Sequence, residues 1–286
     1  MEQKIERKIC EICPHGCRLA EGQVGFCGGR ICRGGQITAL NYGKVTAIAL
    51  DPIEKKPLRR FCSGNQVLSV GSFGCNLRCS FCQNHRISMG GIEEPVAEDA
   101  YIKVTPEQLT DKAVSLQSEG NIGLAYTYNE PLIGYEFVMD CAKKIKAAGM
   151  KNVIVTNGYI NEAPWKELLP WVDGVNIDLK SFRAGFYEEI QGSLDAVKRS
   201  IEMAAKTKHC HVEITTLIIP GKNDDEDEME EQARWLASLD QEIPLHISRF
   251  FPNYKLANIE ATPVDKVYEL AKAARRHLKY VYTGNC

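Results

Sequence analysis

No run of the sequence approaches the roughly 20 consecutive apolar residues that a membrane-spanning helix requires, so nothing in it calls for a bilayer. Charge of one sign is also lacking. The 35 Lys and Arg against 37 Asp and Glu leave a net charge of −2. Such a balance, with no basic stripe, gives no electrostatic footprint for nucleic acid or an anionic membrane. The charged start, Met1 to Lys8, leads into cysteines and not into an apolar signal core. Low-complexity segments are missing too. These absences point to a cytosolic (cytoplasmic) globular protein. The 286 residues, 44% of them hydrophobic, suffice for one large α/β domain or a domain with a small appendage.

What is in excess is cysteine. The chain has 12, and a cytosolic setting disfavours disulfides, so clustered cysteines point to metal or redox chemistry. Five lie between Cys10 and Cys32, and three between Cys75 and Cys82. Residues 1–62 form a Cys- and Gly-rich segment too poor in apolar runs to build its own core, a shortage that a metal would offset. Within it, 45–50 reads as a strand and DPIEKKPLRR (51–60) as a surface connection.

From 63 to 286 the pattern changes to alternating strands and helices. Strands are expected at 67–71, 122–127, 152–156, 174–179, 211–219, 244–248 and 279–283. Helices are expected at 106–119, 132–148, from about Pro164, at 184–206, 225–239 and 263–277. Thr105, Pro106 and Gly120 supply the N-cap, first position and stop of the first of these helices. This alternation argues a parallel sheet, open or barrel-like, with chemistry at the C-terminal strand ends. Distinctive residues stand at those ends: Cys75, Asn129-Glu130, Thr156-Asn157, Asp178, Lys180 and Arg249.

The segment GCNLRCSFC places Cys75, Cys79 and Cys82 at C-x3-C-x2-C spacing in a glycine-bearing loop after a strand. Three thiolates on a short irregular loop can turn toward one iron–sulfur centre and leave one iron open to a small molecule. In the leader, Cys10, Cys13, Cys17 and Cys27 could close a four-thiolate zinc site or hold an auxiliary cluster, with Cys32 and His15 as alternates. The acidic run in NDDEDE (223–228) reads as a helix N-terminus and a solvated face.

C-x3-C-x-aromatic-C, with Phe81 before the last cysteine, is similar to the signature loop of the radical S-adenosylmethionine superfamily. The resemblance implies a partial (β/α)6 TIM-like barrel, a [4Fe-4S] cluster on Cys75, Cys79 and Cys82, and S-adenosylmethionine as cofactor. It further implies an external electron donor and hydrogen abstraction by a 5′-deoxyadenosyl radical. TYNEP (127–131) matches the turn that holds the methionine amino group, with Tyr128 and Asn129 in place of two glycines and Glu130 as acceptor. VIVTNGY and VNIDLKSF resemble the glycyl-radical-activase branch, which brings Thr156, Asn157, Asp178 and Lys180 to the S-adenosylmethionine site. HISRFFPNYK (246–255) adds His246 and Arg249 as cofactor contacts and Tyr254 and Lys255 as ligand contacts. CPHGC, DPIEKKPL, GCNLRCSFCQN, TYNEP and HISRFFPNYK together resemble the radical enzyme of the AmmeMemoRadiSam system, which makes Memo-like and AMMECR1-like proteins expected partners. Rival readings are a glycyl-radical activase acting on a protein, a metal-stabilised interaction module and an electron-transfer protein.

Overall fold

The computed structural model describes residues 6–92 and 95–286; the first five residues of the charged start lie outside them. One eight-stranded sheet organises the chain, and its strands follow one another in sequence order. They are β1 (Ala47–Pro52), β2 (Gln66–Gly71), β3 (Asn121–Tyr126), β4 (Lys151–Thr156), β5 (Gly174–Asp178), β6 (His211–Ile218), β7 (Leu245–Arg249) and β8 (Val281–Gly284). Strands β2 to β8 run parallel, and β1 is an antiparallel edge paired with β2. The crossovers carry α1 (Pro106–Ser115), α2 (Tyr135–Ala147), α3 (Glu162–Leu168), α4 (Ala184–Glu189), α5 (Leu194–Ala205), α6 (Glu226–Leu239) and α7 (Val264–Ala274). Six strand–helix units and a closing strand make the expected partial barrel.

Local chemistry explains most element ends. Thr105 and Gln108 form a reciprocal capping box at α1 (3.2 and 2.8 Å), with Pro106 in the first turn. Gly120, at φ 86°, turns the chain into β3. Alternate strand residues face the helices and fill the main core, including Leu124, Ile154, Ile177 and Ile247. In α3, Asn161 holds the N-cap position and Pro164 lies inside the first turn, not at the start.

The expected 184–206 helix is two helices. Gln191, at φ 58°, and Gly192 break it, and Ser193 caps α5. The break lets Ile190 O accept the Arg78 amide (2.9 Å) and lets Gly192 lie against Leu77, where a Cβ would approach to 2.7 Å.

DPIEKKPLRR is not a surface connection. Ile53 and Leu58 are fully buried and pack on Val67, Ala125 and Val153, which face the barrel interior. The two apolar anchors carry this segment in as a plug, together with Asp51 and Lys56, both buried. Glu213 on β6 fastens its far end by accepting from the Arg59 and Arg60 amides (3.0 and 2.7 Å). Residues 47–60 therefore belong to the barrel although they lie in the Cys-rich segment by sequence.

The rest of that segment lies against the barrel. Arg30 makes a bidentate pair with Glu136 of α2 (2.8 and 2.7 Å), and Asn161 donates to Glu11 O (2.7 Å). The acidic run after Asn223 is only partly solvated. Asp225 caps α6, but Glu228 is buried and accepts from Ser181 Oγ and the Phe182 amide, both at 2.6 Å. No helix among the described residues is long and apolar enough to cross a membrane.

Candidate active site at the cysteine loop

The loop after β2 is held from three directions. The Cys75 amide donates to Cys27 O of the leader (3.0 Å), Arg78 N to Ile190 O (2.9 Å), and Lys255 N to Ser80 O (3.0 Å). Arg78 also donates to the carbonyls of Cys75 and Leu77 (2.9 and 3.0 Å) and stacks 3.7 Å from the Phe26 ring centre. Gly74, at φ 87°, permits this closeness, since a Cβ there would sit 2.5 Å from Cys27 O. The loop is thus held in shape by the protein's own groups.

Cys75, Cys79 and Cys82 all line one cavity of ≈ 350 Å³, a volume within the range of small-molecule sites. None is in a disulfide. Burial pushes the Cys79 thiol up to about 11 and Cys75 well above the usual range, where the nearby Glu130 charge adds to the effect. Iron, not the protein surroundings, would stabilise their thiolate forms. Among the described residues no three His, Cys, Asp or Glu side chains converge on a single metal ion. A cubane cluster needs no such convergence, because each thiolate binds a different iron, so this donor set fits it. The leader cysteines Cys10, Cys13, Cys17 and Cys27 do not close the tetrahedron that zinc would need.

Phe81 is buried on the cavity wall, 5.9 Å from the Phe186 ring. At the β3 end, Asn129 bonds back across β2, accepting from Ser72 N (2.9 Å) and donating to Gly74 O (3.0 Å). Glu130 accepts from Leu132 N (3.0 Å), Thr156 Oγ1 (2.8 Å) and Asn157 N (2.8 Å). A carboxylate has about four lone-pair sites, so one remains for a further donor. Burial raises Glu130 to about 7 despite these bonds. Asn157 reaches Asn76 Oδ1 (2.9 Å), and its Nδ2 lies 3.7 Å from Cys75 Sγ.

Asp178 and Lys180 face the same cavity as an ion pair (2.9 Å) whose lysine side chain is 15% exposed, which is not a solvated surface pair. Burial works against the Lys180 charge, yet Asp178 holds the ammonium above the usual lysine range.

Two expected contacts lie elsewhere. His246 does not line the cavity; its Nε2 is 2.6 Å from Glu213 in the barrel interior, where it stacks on Tyr282. Arg249 is turned to Thr262 O (2.6 Å) and to the Phe251 ring. Tyr254 and Lys255 cap the cysteine loop, Tyr254 stacking on His85 with 4.5 Å between ring centres. Sequence reasoning missed Lys55, Lys56 and Tyr128, which line the cavity, and Asp51 beneath them. The pairing of Ile53 with Leu58 around the lysines was the one available signal that the segment is buried.

A family model for the radical SAM superfamily matches residues 69–233, more than half the chain. The chain belongs to the radical SAM superfamily. It is an enzyme of radical chemistry that uses a [4Fe-4S] cluster and S-adenosylmethionine, which it cleaves reductively to a radical. It is 41% identical to an uncharacterized protein of Methanocaldococcus jannaschii over 99% of this chain and 83% of that protein. It is 28% identical to the pyruvate formate-lyase-activating enzyme of Clostridium pasteurianum over 72% of this chain and 89% of that enzyme. In fold it is similar to a radical SAM methyltransferase from Sphaerobacter thermophilus, with a TM-score of 0.58 and 16% identity over 77% of this chain and 66% of that one.

Proposed function

We propose that the protein generates a 5′-deoxyadenosyl radical in the ≈ 350 Å³ cavity and uses it to take hydrogen from a substrate bound there. The observation that carries this reading is the meeting of Cys75, Cys79 and Cys82 with Glu130, Asn157, Asp178 and Lys180 on one cavity wall. When bound, the cluster supplies the electron that breaks the sulfur–carbon bond of S-adenosylmethionine. The three cysteines are its ligands, and Asn157 directs an N–H at the Cys75 sulfur. Glu130, fixed by Thr156, takes the methionine amino group; Asn129 sets the turn that carries it; Asp178 and Lys180 take the carboxylate and ribose. Phe81 shields the cluster from water.

Cys10, Cys13 and Cys27, which are buried, and the less buried Cys17 serve a second centre, an auxiliary cluster in preference to zinc, coupled to the first through the Cys27–Cys75 backbone bond. The expected division at residue 62 is moved by the plug: the accessory part is the Cys-rich stretch before β1, and the radical core runs from β1 onward, in a reducing cytoplasmic setting. Memo-like and AMMECR1-like proteins are the partners that the sequence resemblance favours. A second reading, activation of a glycyl-radical enzyme, is supported by the match to an activating enzyme over 89% of its length.

Electron paramagnetic resonance tests the site. Anaerobically reconstituted, dithionite-reduced protein should give a cluster signal that changes on adding S-adenosylmethionine. Cys79→Ser should lose that response. A response that survives in Cys79→Ser would refute the ligand assignment.

A further inference from the structure

The plug gives the cavity two lysines that neither cluster nor S-adenosylmethionine binding accounts for. Lys55 and Lys56 both line it. The Lys56 side chain is only 4% exposed, and its ammonium has one hydrogen-bonding acceptor in the described chain, Asp51 Oδ2 at 2.8 Å. Lys55 reaches the same carboxylate through Oδ1 at 3.4 Å. One carboxylate therefore serves two ammonium groups, and one positive charge is left over. Neither of the other carboxylates on the wall bonds to Lys55 or Lys56: Asp178 is paired with Lys180, and Glu130 accepts from Leu132, Thr156 and Asn157. An ammonium has three donors, of which Lys56 uses one. Burying it is costly, and an apolar side chain would serve a plug better, as Ile53 and Leu58 do.

Tyr128 is the second observation. It stands at φ 72°, a region that non-glycine residues rarely occupy. Its hydroxyl donates to Asp51 Oδ2 (2.7 Å), and the Lys56 ammonium lies 4.6 Å from its ring centre. Backbone strain retained at a cavity marks a function for the side chain. Here that function is to hold Asp51, and through it Lys56, in one place.

We propose that Lys55 and Lys56 recognise an anionic group, a carboxylate or phosphate, on the substrate of this cavity, with Asp51 and Tyr128 as positioning residues. This rests on reading the cavity as the S-adenosylmethionine site. S-adenosylmethionine itself carries a carboxylate, so the test separates the two sources.

Succinate, inorganic phosphate and neutral succinamide are titrated calorimetrically into reconstituted protein, and S-adenosylmethionine is titrated separately. Wild type should bind the two anions and not succinamide. Lys56→Gln and Lys55→Gln should each weaken anion binding about tenfold, with S-adenosylmethionine affinity within about twofold of wild type. The Lys55 side chain is 67% exposed, so Lys55→Gln reports on binding even if Lys56→Gln melts early. Anion affinity unchanged in both variants would overturn the proposal. A parallel loss of S-adenosylmethionine affinity would overturn it too, by assigning the lysines to the cofactor's carboxylate. Wild type that fails to bind S-adenosylmethionine would overturn the cavity reading alone, whatever the anions do.

Discussion

Single buried charges decide much of how this barrel works, and Glu213 is the clearest. Burial alone would raise its pKa, but bonds from His211, His246 and the Arg60 amide together bring it down to about 2. A carboxyl lowered from 4.5 to about 2 contributes about 3 kcal/mol. The sign follows from the direction: the contribution is complete above the unfolded pKa and is lost as pH falls toward 2. Urea denaturation should therefore show wild-type stability falling between about pH 5 and pH 3. Glu213→Gln should start roughly 3 kcal/mol lower at neutral pH and fall less over that interval. The cysteine triplet stood out in the sequence because its C-x3-C-x2-C spacing is local and resembles a known signature loop. Glu213, Lys56 and Asp51 were not, because a charged residue reads as solvent-facing until its buried partners, far away in the chain, are known.

At the scale of elements, the close approach of the leader to the cysteine loop depends on Gly74. Gly74→Ala would drive a Cβ to within 2.5 Å of a carbonyl at φ 87°, and should cost roughly 2 kcal/mol or more. Gly149, at φ 73° with nothing within 4 Å of the place a Cβ would take, is the control; Gly149→Ala should cost about 1 kcal/mol. Thermal melting measures both, and only Gly74→Ala should also lower the iron retained per chain after desalting. The strand–helix alternation was readable because apolar periodicity and end signals such as Thr105-Pro106 and Gly120 act locally. The break at 190–193 was not, since its cause is the loop it receives: the Ile190 carbonyl and Gly192 meet Arg78 and Leu77, more than a hundred residues earlier. The place of His246 was not readable for a related reason. Alternation along β7 puts it in the barrel interior, but only the Glu213 contact shows that it lies away from the cavity.

For the whole molecule, the leader and barrel behave as one packed body whose joint is Arg30. Its guanidinium side chain is 5% exposed and pairs with Glu136 while donating to the Ile133 and Ile37 carbonyls. Arg30→Ala removes a bidentate pair and leaves those carbonyls unsatisfied, which should cost about 3 kcal/mol. Hydrogen exchange should then rise in residues 8–39 before it rises in β3 to β6; a uniform rise would mean that the leader does not unfold separately. Composition could suggest that the leader lacks a core, but not that the barrel provides one. The central proposal is that leader, plug and barrel together serve one chemistry, cleavage of S-adenosylmethionine at a cluster on Cys75, Cys79 and Cys82. Mass spectrometry of the products after anaerobic reconstitution with iron and sulfide, followed by dithionite and S-adenosylmethionine, reads that chemistry out. Wild type should give 5′-deoxyadenosine and Cys79→Ala none. A loaded, reducible wild-type protein that gives no 5′-deoxyadenosine, or equal amounts from the variant, would contradict it.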